Sequence, residues 1–267
     1  MASIASACRA ALLTAEPRAK VMAARALARA WRGGSLDFRF DAAMPDRPAR
    51  PPRPQLLPPS QMPKRGRAGS ERGRIALLHA LAHIEFGAID LAIDMAGRFG
   101  AQFPAEFVTD WLAVAADEAM HFALLDRRLR SLGTFYGALP AHDGLWEAAA
   151  ATADDPLARL AVVPMVLEAR GLDVTPAMVA ALERAGDVRS AAILRRIYRD
   201  EIRHVRTGTL WFEIGCKASD LGIVAHWQRL IRTRFRGAIK PPFNDSARHE
   251  AGLPREMYEA LAQVGFA

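Results

Sequence analysis

Two stretches of this sequence set a carboxylate and an imidazole at helical spacing: Asp117-Glu118-Ala119-Met120-His121 and Asp200-Glu201-Ile202-Arg203-His204, both reading Asp-Glu-x-x-His. On an α-helix, side chains three residues apart share a face about one turn apart, so each stretch aims one Glu and one His at a common point. Each is half of a metal site. Random placement of these residue types would give roughly 0.02 Asp-Glu-x-x-His matches in the chain, so two matches argue against an accidental solvated face. Two more glutamates stand alone in apolar settings, Glu85 in His83-Ile84-Glu85-Phe86-Gly87 and Glu168 in Met165-Val166-Leu167-Glu168-Ala169. Glu85 precedes Glu118 by 33 residues and Glu168 precedes Glu201 by 33, so the chain holds a pseudo-repeat offset by 83 residues.

Four Glu and two His facing a bundle core match the ligand set for two iron or manganese ions. Carboxylates are hard ligands that bridge two metals and neutralise the charge such a pair brings into a low-dielectric interior. Without metal, four buried carboxylates would repel one another. Zinc more often takes Cys or several His, and calcium takes loop oxygens, so iron is the expected metal.

The elements that must carry these residues follow from periodicity. From Arg74 onward apolar positions recur three and four apart, which predicts four long helices. The first is expected over Glu71–Phe99, stopping near Gly97 and Gly100, and the second from Pro104 to just before Gly133. The third is expected from the Asp155-Pro156 cap to Gly171, and the fourth from Asp187 to about Gly215. A short capped helix, Thr175-Pro176 to Ala185, lies between them and is expected to continue the third in the same direction after a break. Pro164 predicts a kink or bulge one turn before Glu168. Equal rise along two antiparallel helices brings Glu85 and Glu118 level. The long connection Gly133–Asp154 suits an all-α, antiparallel four-helix bundle with one long crossover.

Three regions are expected: residues 1–69, a helix at Arg18–Trp31 followed by a Pro/Arg-rich arm; 70–216, the bundle; and 217–267, an extension with helices at Val224–Phe235 and Arg255–Val264. The arm, Pro45–Pro63, cannot be helical. Leu56, Leu57 and Met62 give it apolar surface to bury, and the sequence leaves a packed arm and a flexible linker equally open.

The chain has 267 residues, 51% hydrophobic and 24% charged, with 36 Lys+Arg against 29 Asp+Glu for a formal net charge of +7. That composition excludes general disorder. Only Cys8 and Cys216 are present, in no C-x-x-C pair, which argues against a disulfide scaffold and for a reducing, cytoplasmic setting. No uninterrupted apolar run reaches the length of a membrane span, so a transmembrane role is not expected. Arginine runs at Arg47–Arg67, Arg195–Arg206 and Arg229–Arg236 suit a phosphate-binding surface and equally suit solvated helix faces.

The segments His83-Ile-Glu85, Asp117-Glu-x-x-His121, Gly171-Leu-Asp-Val-Thr-Pro176 and Asp200-Glu-x-Arg-His204 resemble a ferritin-like di-iron carboxylate family, a bacterial domain-of-unknown-function group similar to the MiaE-type tRNA hydroxylases. The resemblance covers residues 70 to 215. It implies a ferritin-like bundle in which Glu85, Glu118 and His121 hold one metal and Glu168, Glu201 and His204 the other, with Glu118 and Glu201 bridging. It places Asp117 and Asp200 behind the ligands. Helix geometry agrees independently, since each Asp lies four residues before its His and can receive a ring N–H.

Other residues have plainer readings. His79, His83, Asp90 and Asp94 form a stripe that could imitate a second metal site, but His83 lies about 200° around the helix from Glu85 and is expected to hydrogen-bond between elements. Tyr198, one turn before Glu201, is either a core tyrosine or a hydrogen-bonding neighbour of the metals. Trp111, Phe122, Trp211 and Phe212 are expected in the core.

The leading expectation is an oxidoreductase of the monooxygenase or hydroxylase type. It would use two iron ions, or an iron–manganese or manganese pair, to activate dioxygen against an organic substrate, with tRNA one candidate. An external electron donor is implied because no flavin or nicotinamide motif is present. A ferroxidase or iron-handling protein is the alternative, and a non-enzymatic, metal-stabilised RNA- or protein-binding module is a third reading.

Overall fold

A computed structural model describes residues 1–63 and 70–262. The end of the first arginine run and Val264, the expected end of the last helix, lie outside the described residues. The chain divides into two compact units, one of Met1–Trp146 with Arg184–Gly186, the other of Glu147–Glu183 with the chain from Asp187 onward. Both are predominantly helical; the strands among the described residues are a two-residue parallel pair, β1 (Ala2–Ser3) with β2 (Leu36–Asp37).

In the first unit, α1 (Ile4–Leu12) and α2 (Pro17–Arg32) precede α3 (Glu71–Phe99) and α4 (Ala105–Ser131), which pack against each other across a short turn. Helix α1 was not expected. Its Ser3 cap accepts from Ser6 N, and Ile4, Ala5, Cys8, Ala11 and Leu12 are buried. Helix α3 has the expected ends, with Ser70 accepting from Gly73 N at its start. Gly97, however, lies inside the helix rather than stopping it, and it is bare for a packing reason: a Cβ there would sit 2.5 Å from Met44 Sδ and 2.9 Å from Cys8 Cβ.

Helix α3 with the following turn, Glu71–Gln102, is long and apolar enough to cross a membrane by length and mean composition, although Glu85, Asp90, Asp94 and Arg98 interrupt its apolar run. Most of its apolar window is buried within the structure, and packing against α1 and α4 accounts for the hydropathy.

The Pro-rich arm is packed. Leu57 N donates to Ala141 O at 2.8 Å, Ala141 N to Gln55 O at 3.0 Å, and Ala49 N to Leu12 O at 2.9 Å. Arg98 holds Pro45 O at 2.9 Å, and Trp146 Nε1 donates to Asp46 O at 3.0 Å. The buried residues are Met44, Pro48 and Pro54 rather than the expected Leu56, Leu57 and Met62, of which Leu56 is exposed and the other two intermediate. Main-chain bonding, not apolar side chains, does most of the tethering.

In the second unit the third long helix departs from expectation at one place, Gly171. It begins at the Asp155 cap as α6 (Pro156–Val162), widens into a π turn (Val163–Glu168), and resumes as α7 (Ala169–Arg184) without stopping at Gly171. The bulge expected at Pro164 is therefore present, and the segment from Thr175 continues the third helix in the same direction, as expected, but without the expected break. Pro176 cannot donate to Leu172 O, the bond it would complete in an α-helix. Asn244 Nδ2 supplies that donor instead, at 3.1 Å, so the helix passes through its proline intact. Asp173, one residue on, accepts from Asn244 N at 3.0 Å and is held by both Nε and Nη2 of Arg248 at 2.8 and 2.7 Å. The helix α8 (Val188–Ala218), capped by Asp187, packs against α6 and the π turn, followed by α9 (Ile223–Arg234), α10 (Asp245–Glu250) and α11 (Arg255–Ala262). Helix α10, which delivers Arg248, was not anticipated. The crossover between the two helix pairs holds a short helix, α5 (Gly144–Ala150).

Candidate metal centre

Glu85 sits midway along α3, and Glu118 and His121 sit midway along α4, on the faces these helices turn to each other. The structure brings the three together: one ligand atom from each lies within 4.8 Å of the others. His121 Nδ1 is 3.1 Å from Glu85 Oε2 and 3.4 Å from Glu118 Oε2, which identifies Nδ1 as the nitrogen turned towards the carboxylates. Exposures of 4%, 1% and 0% for Glu85, Glu118 and His121 place this group in the interior. Two carboxylates and an imidazole converging in such a setting suit a divalent cation with a preference for oxygen and nitrogen donors. This cluster could bind a metal.

The acidic stripe on the same helix is differently occupied. Asp90 is fully buried and receives Lys20 Nζ at 2.5 Å and Arg50 Nη1 at 2.8 Å. Burial pushes the Asp90 carboxyl up and the Lys20 amine down, and their mutual attraction opposes both shifts. Lys20 also donates to Leu12 O at 3.3 Å and to Ala49 O at 3.2 Å. Asp94 is paired with Arg98 at 2.9 Å.

His79 and His83 do what the plainer reading expects. His79 Nε2 accepts from Gly137 N at 2.9 Å and Leu139 N at 3.4 Å. His83 Nδ1 lies 2.9 Å from the Tyr136 hydroxyl, and its Nε2 lies 3.1 Å from His142 O. Both rings fasten the crossover to α3. Burial brings each down to about 4, so both are neutral near pH 7. Trp111, Phe122, Trp211 and Phe212 are all buried, as expected.

In the second unit, Glu168 ends the π turn and is half-buried. Glu201 and His204 lie on α8, 9% and 2% exposed, with His204 Nδ1 at 3.7 Å from Glu201 Oε1. Asp200 accepts from Arg196 Nε at 2.6 Å and Arg203 Nη2 at 2.5 Å, so arginine is among its partners. Asp117 is half-buried on α4. The Tyr198 hydroxyl accepts from Asn244 Nδ2 at 3.0 Å, which ties it to the C-terminal segment. Lys20, Arg50 and Asn244 were not anticipated. They contact partners 70, 40 and 72 residues away, a range at which spacing in the sequence gives no signal.

The chain matches the family described as "Protein of unknown function (DUF455)" over residues 13–259. It is 41% identical over 220 residues, 80% of this chain and 76% of the other, to a protein of Haemophilus influenzae described as uncharacterized. No solved structure matches.

Proposed function

The chain belongs to the DUF455 family, and from its own ligand pattern we propose that it is a di-metal, oxygen-activating oxidoreductase that hydroxylates or oxidises an organic substrate. In this reading Glu85, Glu118 and His121 hold one metal, Glu168, Glu201 and His204 a second, and α3, α4, the α6–α7 helix and α8 form a ferritin-like bundle. The observation that carries it is the buried Glu85–Glu118–His121 cluster, together with the repetition of its pattern, at the same 33-residue spacing, in the second half of the sequence.

A reduced iron pair, or an iron–manganese pair, would supply the electrons that activate dioxygen. The chain's own contribution is placement and exclusion of water. The glutamates hold the metals through hard oxygen donors, Nδ1 of His121 completes one donor set, and Phe86 and Phe122, with ring centroids 5.2 Å apart, close off α3 and α4 beside the ligands. Electrons would come from an external donor, and tRNA is one candidate substrate among others.

The test is anaerobic iron loading followed by metal analysis and dioxygen admission, with and without total tRNA or a metabolite extract. About two metal ions per chain, and oxygen consumption accelerated by a substrate fraction, are expected. One ion or none after loading would refute the di-metal reading. Rapid ferrous oxidation with accumulation of mineral iron, indifferent to every addition, would assign the ferroxidase function instead.

A further inference from the structure

In the second unit, α8 carries Gly208 one turn after His204 and two turns after Glu201, on the same face as both. Opposite it lies Pro164, the second residue of the π turn that ends at Glu168. A Cβ built on Gly208 would stand 2.5 Å from both Cβ and Cγ of Pro164, closer than carbon atoms approach without one backbone moving. The π turn itself is closed by Ala169 N donating to Pro164 O, five residues back. One extra residue in a single turn rotates every later side chain by roughly 100° relative to a continuous α-helix. The direction in which Glu168 leaves its helix is therefore set by this turn, and the turn is seated on the bare backbone of Gly208.

We propose that Gly208 is a positioning residue: its missing side chain lets Pro164 and the π turn lie against α8, and so fixes the Glu168 carboxylate for the metal held with Glu201 and His204. This rests on the metal reading above. Gly171 provides the internal control, because it is also a helical glycine but a Cβ there meets nothing within 4 Å.

The experiment titrates the metal-free, full-length protein with Mn(II), reading bound metal by electron paramagnetic resonance, for wild type, Gly208→Ala and Gly171→Ala. Hydrogen exchange of amides 163–169 is followed on the same metal-free samples. Gly208→Ala should weaken Mn(II) binding by about 10-fold or more and speed exchange through the π turn, while Gly171→Ala leaves both unchanged. Glu168→Gln should cost far less in the Gly208→Ala background than in wild type, since both changes act on one ligand; additive losses would reduce Gly208 to a packing residue and overturn the proposal. Unaltered exchange and Mn(II) binding in Gly208→Ala would overturn it as well. A wild-type protein that takes up no Mn(II) would defeat the metal reading instead, and exchange alone would then decide the seating of the turn. Should Gly208→Ala lose its helical circular dichroism, Pro164→Ala thins the same contact from the other side while restoring an N–H. Weaker Mn(II) binding and altered exchange are expected there, and wild-type values of both would refute the role.

Discussion

In the first unit Glu85 sits within an unbroken helix of 29 residues, whereas in the second Glu168 closes a six-residue π turn between two shorter helices. The sequence pattern around them is the same, a lone Glu followed 33 residues later by the Glu of an Asp-Glu-x-x-His stretch. The backbone reaches it by opposite means. The burial of α3 is sustained by charge: Asp90 and Asp94 are buried there and each is met by Lys or Arg. The bulge in the other helix is sustained by shape, with a proline that cannot complete the α-helical ladder and a glycine opposite that makes room for its ring. A repeat in ligand pattern therefore does not entail a repeat in the structure that supports it.

The sharpest way to break this comparison is to remove the charge device. Lys20→Met should destabilise the first unit by about 3–5 kcal/mol, the cost of leaving a buried carboxylate short of its partner, read as a fall in the urea midpoint of α3 amide exchange. A loss below about 1 kcal/mol would mean that Arg50 alone suffices.

Acid should also act on the first unit. The neutral His79 ring is an acceptor for two backbone amides, and its folded value of about 4 lies below the ordinary 6.5. A group depressed in this way contributes stability in full above pH 6.5 that is lost as pH falls from 6.5 through about 4, up to about 3 kcal/mol in all. Urea midpoints measured across that window should fall in wild type and fall less in His79→Gln, which keeps an acceptor without a titrating ring. Equal slopes would remove His79 from the account.

A smaller effect separates the two glutamate environments. Glu118 is 1% exposed beside Glu85 and Glu168 is half-buried, so Glu118→Gln should raise metal-free stability by about 1–2 kcal/mol and Glu168→Gln by less than about 0.5. Both should lose the stabilisation that metal confers. The reverse order, measured by thermal melts with and without Mn(II), would mean that the second unit holds the more strongly desolvated ligand.

A further modest change is a gain: Gly171→Ala, in a helix interior with open space around it, should stabilise by about 0.5–1 kcal/mol, detectable as a raised melting temperature.

What the sequence disclosed was whatever its local periodicity governs. The ends of α3, the Asp155 and Asp187 caps, the bulge at Pro164 and the levelling of Glu85 with Glu118 all depend on residues within a few turns or on equal rise along two neighbouring helices. Gly97 and Gly171 show where that stops. Both read as helix terminators, yet one is bare because Met44 and Cys8 press on it and the other is simply tolerated. Pro176 read as the start of a helix because its replacement donor, Asn244, lies 68 positions further along the chain. The packing of the arm was equally hidden, since its bonds are made by backbone groups, which carry no compositional mark.

The Lys20–Asp90–Arg50 group bears on how far this protein can be trimmed. A minimal scaffold cut to begin at Ser70 would keep both helices that carry Glu85, Glu118 and His121, and would strip from Asp90 both its cationic partners and the chain that covers it. Any such scaffold must retain the chain through Arg50 or redesign the face of α3 that the cut lays bare. The segment ahead of α3 thus closes over Asp90 and supplies its counterions together.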